Sequence, residues 1–332
     1  MSKMAVVLLA IMLIVSATLS NPLMAETWTV NSTASLQQHL VSASAGDTIV
    51  LKPARYLGNF EVNTPLQLQG SAGVVIDAQG IGSALKVAAS NVSVNGLQIK
   101  NWGSDLYERD AGILVLEQTA NIHLTDNNMQ GDGFGIRADN SRALHISRNQ
   151  ISGNAKLHVL DRGDGIHLNG VQQAMIELNR IEYVRDGVYI ESCKGSIVAN
   201  NDFSQQQYGI HYMYSEQDEA FGNHSENVNG GYAIMSSKSV YLHHNRAENA
   251  SEYGVLLNIT NGARIEFNVL KNIHNPHGQE SLGNQGRAMF IYGALDNQIR
   301  ANEFSDSDIG IAMAMGGEKN RIYENNFINN LT

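Results

Sequence analysis

Apolar and polar positions along the chain repeat with a long period that carries a short one inside it. A hydrophobic residue followed three positions later by Asn occurs as Leu124–Asn127, Ile146–Asn149, Ile176–Asn179, Val198–Asn201, Ala220–Asn223, Leu242–Asn245, Ile265–Asn268, Ile299–Asn302 and Ile322–Asn325. Successive Asn residues lie 22, 30, 22, 22, 22, 23, 34 and 23 positions apart. In phase runs a second marker, Gly followed by a short alternating apolar stretch. It reads Gly112-Ile-Leu-Val, Gly135-Ile-Arg-Ala, Gly165-Ile-His-Leu, Gly187-Val-Tyr-Ile, Gly209-Ile-His-Tyr, Gly254-Val-Leu-Leu and Gly310-Ile-Ala-Met, with Ala233 and Ala288 expected in the Gly place of two further repeats. Two strands at a fixed offset within one period predict one closed coil per repeat. Each strand is too short to bury anything alone. Stacked about 4.8 Å apart, coils pair their backbones and merge their inward residues into one core. The pattern therefore predicts an all-β, right-handed, single-stranded parallel β-helix of about 22 residues per coil. Alternation sends Ile166 and Leu168 inward and His167 outward. The Asn column is expected in a turn, in left-handed backbone geometry, passing amide hydrogen bonds from coil to coil.

The ends need separate treatment, because an open coil exposes strand edges and core. Lys3, the apolar run Ala5 to Leu19, the break at Asn21-Pro22 and the small Ala25 read as a signal peptide over 1–25, leaving 26–332 as the β-helix. Leu36, Leu40 and Val41 mark an amphipathic helical turn that caps the rod, with Ala45-Gly-Asp-Thr-Ile-Val-Leu as its first strand. At the other end the chain stops within a repeat at Asn330-Leu-Thr, so truncation or a partner-capped last coil is expected. After signal cleavage no segment is long and apolar enough to span a membrane.

The repeat is interrupted three times. Asn95 to Gly112, Asn149 to Gly165 and Asn268 to Ala288 are 17, 16 and 20 residues, against 8 or 9 in most other coils. All three insertions fall at one corner of the coil and are expected to project from one edge of the rod, where repeat scaffolds carry function. They supply candidate partner-binding residues: Trp102, Tyr107 and Arg109 in the first, His158 and Arg162 in the second, His274 and His277 in the third.

Composition narrows the partners. The net charge of −10 argues against a nucleic-acid backbone. Charged residues are only 16% while Gly reaches 31, which suits short strands and tight turns. Cys193 is the single cysteine, so no internal disulfide exists, and its place in a repeat turn reads as inert. No Walker motif and no zinc spacing occurs.

The outward column beside the insertions is expected to run Arg137, His167, Tyr189, His211, Met235, Leu256, Phe290. A neighbouring column holds Asp139, Asn169, Glu191, Met213, Ser237, Asn258 and Tyr292. Three chemistries fit this face. Asp164 and Asp186 stack in successive coils, and His167 beside Asp164 suits a general base, as in a polysaccharide lyase or C5-epimerase acting on an acidic glycan. Against that, Asp-Gly is a turn former, and the Gly-His-Gly of pectin hydrolases and the Asp-Pro-His-Asp of mannuronan epimerases are missing. Alternatively, His211, Met213, Met235 and His167 form a soft set suited to transient copper(I). The third reading is a docking scaffold without chemistry of its own.

Asp161-Arg-Gly-Asp-Gly-Ile-His-Leu, Val184-Arg-Asp-Gly-Val-Tyr-Ile-Glu, Tyr208-Gly-Ile-His-Tyr-Met-Tyr-Ser and Gly231-Tyr-Ala-Ile-Met-Ser-Ser resemble the NosD family, the periplasmic β-helix accessory proteins of nitrous oxide reductase maturation. The opening Ala45-Gly-Asp-Thr-Ile-Val-Leu and Asp77-Ala-Gln-Gly-Ile-Gly-Ser-Ala-Leu are similar to the same family. The resemblance implies a non-enzymatic role in the periplasm. It implies partners too: an ABC permease and its ATPase, a copper chaperone lipoprotein, and the reductase whose copper site is assembled. The family continues past this repeat into a further tail, where this chain departs from it.

Overall fold

The computed structural model describes residues 24–277 and 285–332. The expected signal peptide lies almost wholly outside them, as do Gln279 and Glu280 of the third insertion. Among the described residues the chain winds a right-handed parallel β-helix of about 13 turns, about 23 residues per turn. One coil shows the plan. Ile197–Ala199 lies in sheet 1, Asp202–Ser204 in sheet 2 and Tyr208–Met213 in sheet 3. Sheets 1, 2 and 3 hold 13, 12 and 11 described strands, and strand neighbours along each run parallel.

The core follows from register. Val188 pairs with Ile166 below and Ile210 above, and Ile190 with Leu168 and Tyr212. Stacking like on like leaves each inward residue fully buried. The inward tyrosines satisfy their hydroxyls on backbone: Tyr232 Oη donates to the carbonyls of Asn223 at 2.8 Å and Arg246 at 2.9 Å. A buried hydroxyl without such acceptors would be costly.

The Asn column is the expected ladder. Asn201 donates its backbone N–H and its Nδ2 to Asn223 Oδ1 at 3.0 and 2.9 Å, and Nδ2 also to the Ile176 carbonyl at 3.0 Å. The same pattern repeats above, from Asn223 to Asn245 and from Asn245 to Asn268. The left-handed residue, however, is the one before each Asn: Arg148, Leu178, Asn200 and His244 have φ of 55°, 57°, 55° and 53°. The Asn side chain turns inward to seal the corner between sheets 1 and 2, and its predecessor makes the bend.

Two register assignments move by two residues. Gly231, not Ala233, holds the Gly place: Ala233 pairs with His211, and Met235 pairs with Met213. Likewise Asn95 pairs with Thr125, so Leu97 occupies the ladder position below Asn127. The glycines are required by close approach. A Cβ on Gly187 would sit 2.5 Å from the Gly209 carbonyl oxygen, and one on Gly231 2.5 Å from that of Gly254.

The N-terminal cap is helix Thr33–Ser42, started by Ser32, whose Oγ accepts from the Ser35 N–H at 3.2 Å. Leu36 and Leu40 close the core, while Val41 points to solvent at 88% exposure. The first strand is Thr27–Val30, ahead of the helix, and it pairs with Thr48–Leu51. Cys193 is free and buried, and burial pushes its thiol up to about 12, so it is inert as expected. No helix among the described residues is long and apolar enough to cross a membrane.

Candidate metal-handling face

All three insertions lie where the chain passes from sheet 2 to sheet 3, so they flank the outer face of sheet 3. The strands there bend at glycine. Pairing runs from Asp186↔Tyr208 directly to Val188↔Ile210. The bend lets a residue before the glycine share the outer face with the residue two positions after it.

That geometry builds a network which alternation alone does not reveal. Asp164 Oδ2 meets His167 Nδ1 at 2.7 Å, and Asp186 Oδ2 meets His211 Nδ1 at 3.0 Å. Arg185 lies between the two carboxylates and donates Nε and Nη2 to Asp164 at 3.0 and 2.9 Å. The Asp186 N–H donates to Asp164 Oδ1 at 3.2 Å, so the two aspartates stack in successive coils. Burial pushes the Asp164 carboxyl up, but the His167 hydrogen bond and Arg185 outweigh it and hold it below its usual value. Asp186 goes the other way, raised by burial and by the charge on Asp164. These aspartates are buried anchors of an ionic network, which replaces the expectation of simple turn chemistry.

The histidines are thereby oriented. Each carboxylate fixes one ring nitrogen and leaves Nε2 for another partner, the arrangement that supports metal-binding histidines. His211 Nε2 is buried and has no hydrogen-bond partner. Met213 follows on the same strand and face, and Met235 pairs with it one coil above, leaning on Tyr208, Ala233, Tyr253, Leu256 and Phe290. Met213 and Met235 are thus paired in adjacent coils, two positions along the face from His211 and its pairing partner Ala233. His167 is set apart: the Tyr189 ring stands between the two imidazoles, at 4.8 Å from His167 and 4.9 Å from His211. Among the described residues no three His, Cys, Asp or Glu side chains gather as a metal site, so an imidazole–thioether set is the one the face offers.

The insertion residues divide. Trp102 is a core residue, 3% exposed, with its ring packed where a Cβ on Gly131 would stand, and so is removed from the partner surface. Tyr107 is 90% exposed. Arg109 reaches the Asp139 carboxylate at 3.4 Å. His158 caps the short helix Val159–Asp161 through Nδ1, accepting from the Leu160 N–H at 3.3 Å. Arg162 is a latch: it donates to the carbonyls of Leu157 at 2.8 Å and Gln205 at 3.0 Å, tying the loop down. His274 Nδ1 pairs with Asp308 at 2.8 Å, and the backbone N–H of exposed His277 donates to Asn275 Oδ1 at 2.9 Å. The sequence places Asp164 beside His167, but not Asp186 with His211, because these two are 25 positions apart and meet only once coils stack.

Comparison with known proteins bears on the fold and the family. Among solved structures, a lacto-N-biosidase of Eubacterium ramulus matches with a TM-score of 0.66 at 11% identity, covering 91% of this chain and 68% of that one. A polygalacturonase of Erwinia carotovora matches with a TM-score of 0.61 at 12% identity, covering 94% and 99%. At such identities these likenesses concern the fold alone. Two curated proteins, each named "Probable ABC transporter binding protein NosD", come closer in sequence. That of Stutzerimonas stutzeri is 35% identical, covering 84% of this chain and 65% of that protein. That of Pseudomonas aeruginosa PAO1 is 35% identical over 84% and 66%. The chain therefore spans about two thirds of the length of these relatives. The family model described as "Periplasmic copper-binding protein (NosD)" matches residues 147–332, which include the whole His–Met face, and the chain belongs to the NosD family.

Proposed function

We propose that this chain is a periplasmic, non-enzymatic accessory protein that handles copper(I) during assembly of the copper site of nitrous oxide reductase. It works with an ABC permease and its ATPase and with a copper chaperone lipoprotein. The observation that carries this reading is the buried, partnerless Nε2 of His211, fixed by Asp186 beside the paired Met213 and Met235. One imidazole and two thioethers make a soft set for copper(I). Copper is cargo here, so a site of few ligands is an advantage: the ion has to leave again. His167 is the next stop along the column, beyond Tyr189.

Support for a non-enzymatic role comes from the same network. Asp164 and Asp186 are occupied by histidine and arginine, and each is almost fully buried. A lyase or epimerase needs a base open to the sugar. Incubation with alginate or pectin is expected to leave neither unsaturated ends nor altered epimer ratio.

The decisive measurement is competition for copper(I) against a chromophoric chelator. The protein is expected to retain about one equivalent. His211→Ala combined with Met213→Ala is expected to weaken retention at least ~10-fold and to slow reductase loading. Met235→Ala should weaken it less, and His167→Ala should alter transfer rather than retention. Absence of competition by the wild-type chain, or loading that survives the double substitution, would sink the proposal.

A further inference from the structure

A second histidine pair lies on sheet 1. His243 ends the strand Tyr241–His243, and His244 is the exposed left-handed residue of the turn that follows. Their Nδ1 atoms are 2.8 Å apart. His243 Nε2 lies 2.8 Å from Glu219 Oε1. Facing a carboxylate, that nitrogen is the donor, which leaves Nδ1 of His243 as the acceptor. His244 must then be the donor in the short contact. The His243 ring is clamped between Tyr241, at 4.0 Å and 27°, and Phe221, at 5.2 Å and 14°, while His244 stacks on Phe267 at 5.0 Å.

We infer that His243 and His244 form a divalent-cation site for ions that favour imidazole, such as copper(II) and nickel(II). The geometry points there in two ways. The two Nδ1 atoms already face one another at 2.8 Å, close to the separation of about 2.8 Å that cis nitrogens take on metal–nitrogen bonds of about 2.0 Å, so an ion would replace the bridging proton. The carboxylate–imidazole contact of Glu219 supplies the orienting partner that metal-binding histidines use. For His244 to bind through Nδ1, the bridging proton leaves that atom for its own Nε2 or for solvent. This site has a different donor set, oxidation state and sheet from the His211 face, and it stands without that reading.

Nickel(II) is the probe that separates the two, since it is redox-inert here and prefers imidazole to thioether. Calorimetric titration of the whole chain is expected to show one nickel(II) equivalent that is absent in His244→Asn, a substitution that keeps an αL-tolerant residue in the turn. Glu219→Gln should weaken that equivalent ~10-fold or more, and Met213→Ala with Met235→Ala should leave it unchanged. Copper(II) added to the wild type should give an axial electron paramagnetic resonance spectrum with coupling to two nitrogens. Equal nickel(II) stoichiometry and affinity in the wild type and His244→Asn would overturn the site, whatever the outcome of copper(I) binding elsewhere.

Discussion

Single residues in this rod are best understood by their place in a column. Asp218 is the clearest case. Its Oδ1 accepts the Ser196 N–H at 2.7 Å, the duty that Asn297 and Asn320 perform further up the same corner at 2.8 and 3.0 Å. Asn has a second polar atom that can donate, whereas Asp218 Oδ2 is buried without a partner. Burial accordingly raises this carboxyl to about 7, with Glu216 adding to the shift. The folded value lies above the ordinary one of 3.8. The unfolded chain thus ionises first, and native stability falls as pH rises from about 4 to about 7. Asp218→Asn is expected to match the wild type near pH 4 and to exceed it by on the order of 1–4 kcal/mol at pH 8. Denaturant unfolding at both pH values checks this, and a difference that fails to grow with pH would refute it.

At the scale of strands and turns, the ladders carry the fold. Asn201→Ala deletes one rung: it strands the N–H and Nδ2 that Asn179 donates to Asn201 Oδ1, and frees the Ile176 carbonyl. Each stranded buried group costs about 1–3 kcal/mol, so a loss of roughly 3 kcal/mol or more is expected in equilibrium unfolding. Gly187→Ala tests the glycine column. Its Cβ would stand 2.5 Å from both the Gly209 carbonyl oxygen and the Phe203 ring, and overpacking of this kind costs about 1–3 kcal/mol. These ladders were legible in the sequence because hydrogen bonding between identical Asn demands a constant step, and the step of 22 recurs. Register was less legible. A slip of two residues preserves inward and outward parity, so alternation cannot tell Gly231 from Ala233 as the bend, nor Asn95 from Leu97 as the rung. The same blindness puts Met235 in the His211 column, whereas the structure pairs it with Met213. Side chains that meet across coils were the least visible. Glu219 and His243 are 24 positions apart, and only the pairing of Glu219 with Tyr241 brings them within reach.

On the scale of the whole rod, chemistry is divided by sheet. The soft His211–Met213–Met235 set occupies the outer face of sheet 3, the His243–His244 pair sheds outward from sheet 1, and the insertions stand at the corner between sheets 2 and 3. A rigid scaffold holds such regions apart, so substitutions in one leave the others unmoved. On the proposed function, recognition by a protein partner belongs to the protruding loops, and ion retention to the strand faces. Tyr107, almost fully exposed with only its backbone N–H engaged by Asp105, gives up no described side-chain contact when truncated. Tyr107→Ala with His277→Ala is therefore expected to reduce co-purification with the permease complex at least several-fold while copper(I) retention stays at the wild-type value. His211→Ala with Met213→Ala should do the reverse. Arg162→Ala adds a control within the loops: releasing its grip on Leu157 and Gln205 should speed proteolysis within 153–161 without moving the global unfolding midpoint. If loop and face substitutions weaken copper retention and partner capture together, ion and partner share one surface, and the separation that the three-sheet architecture implies is wrong.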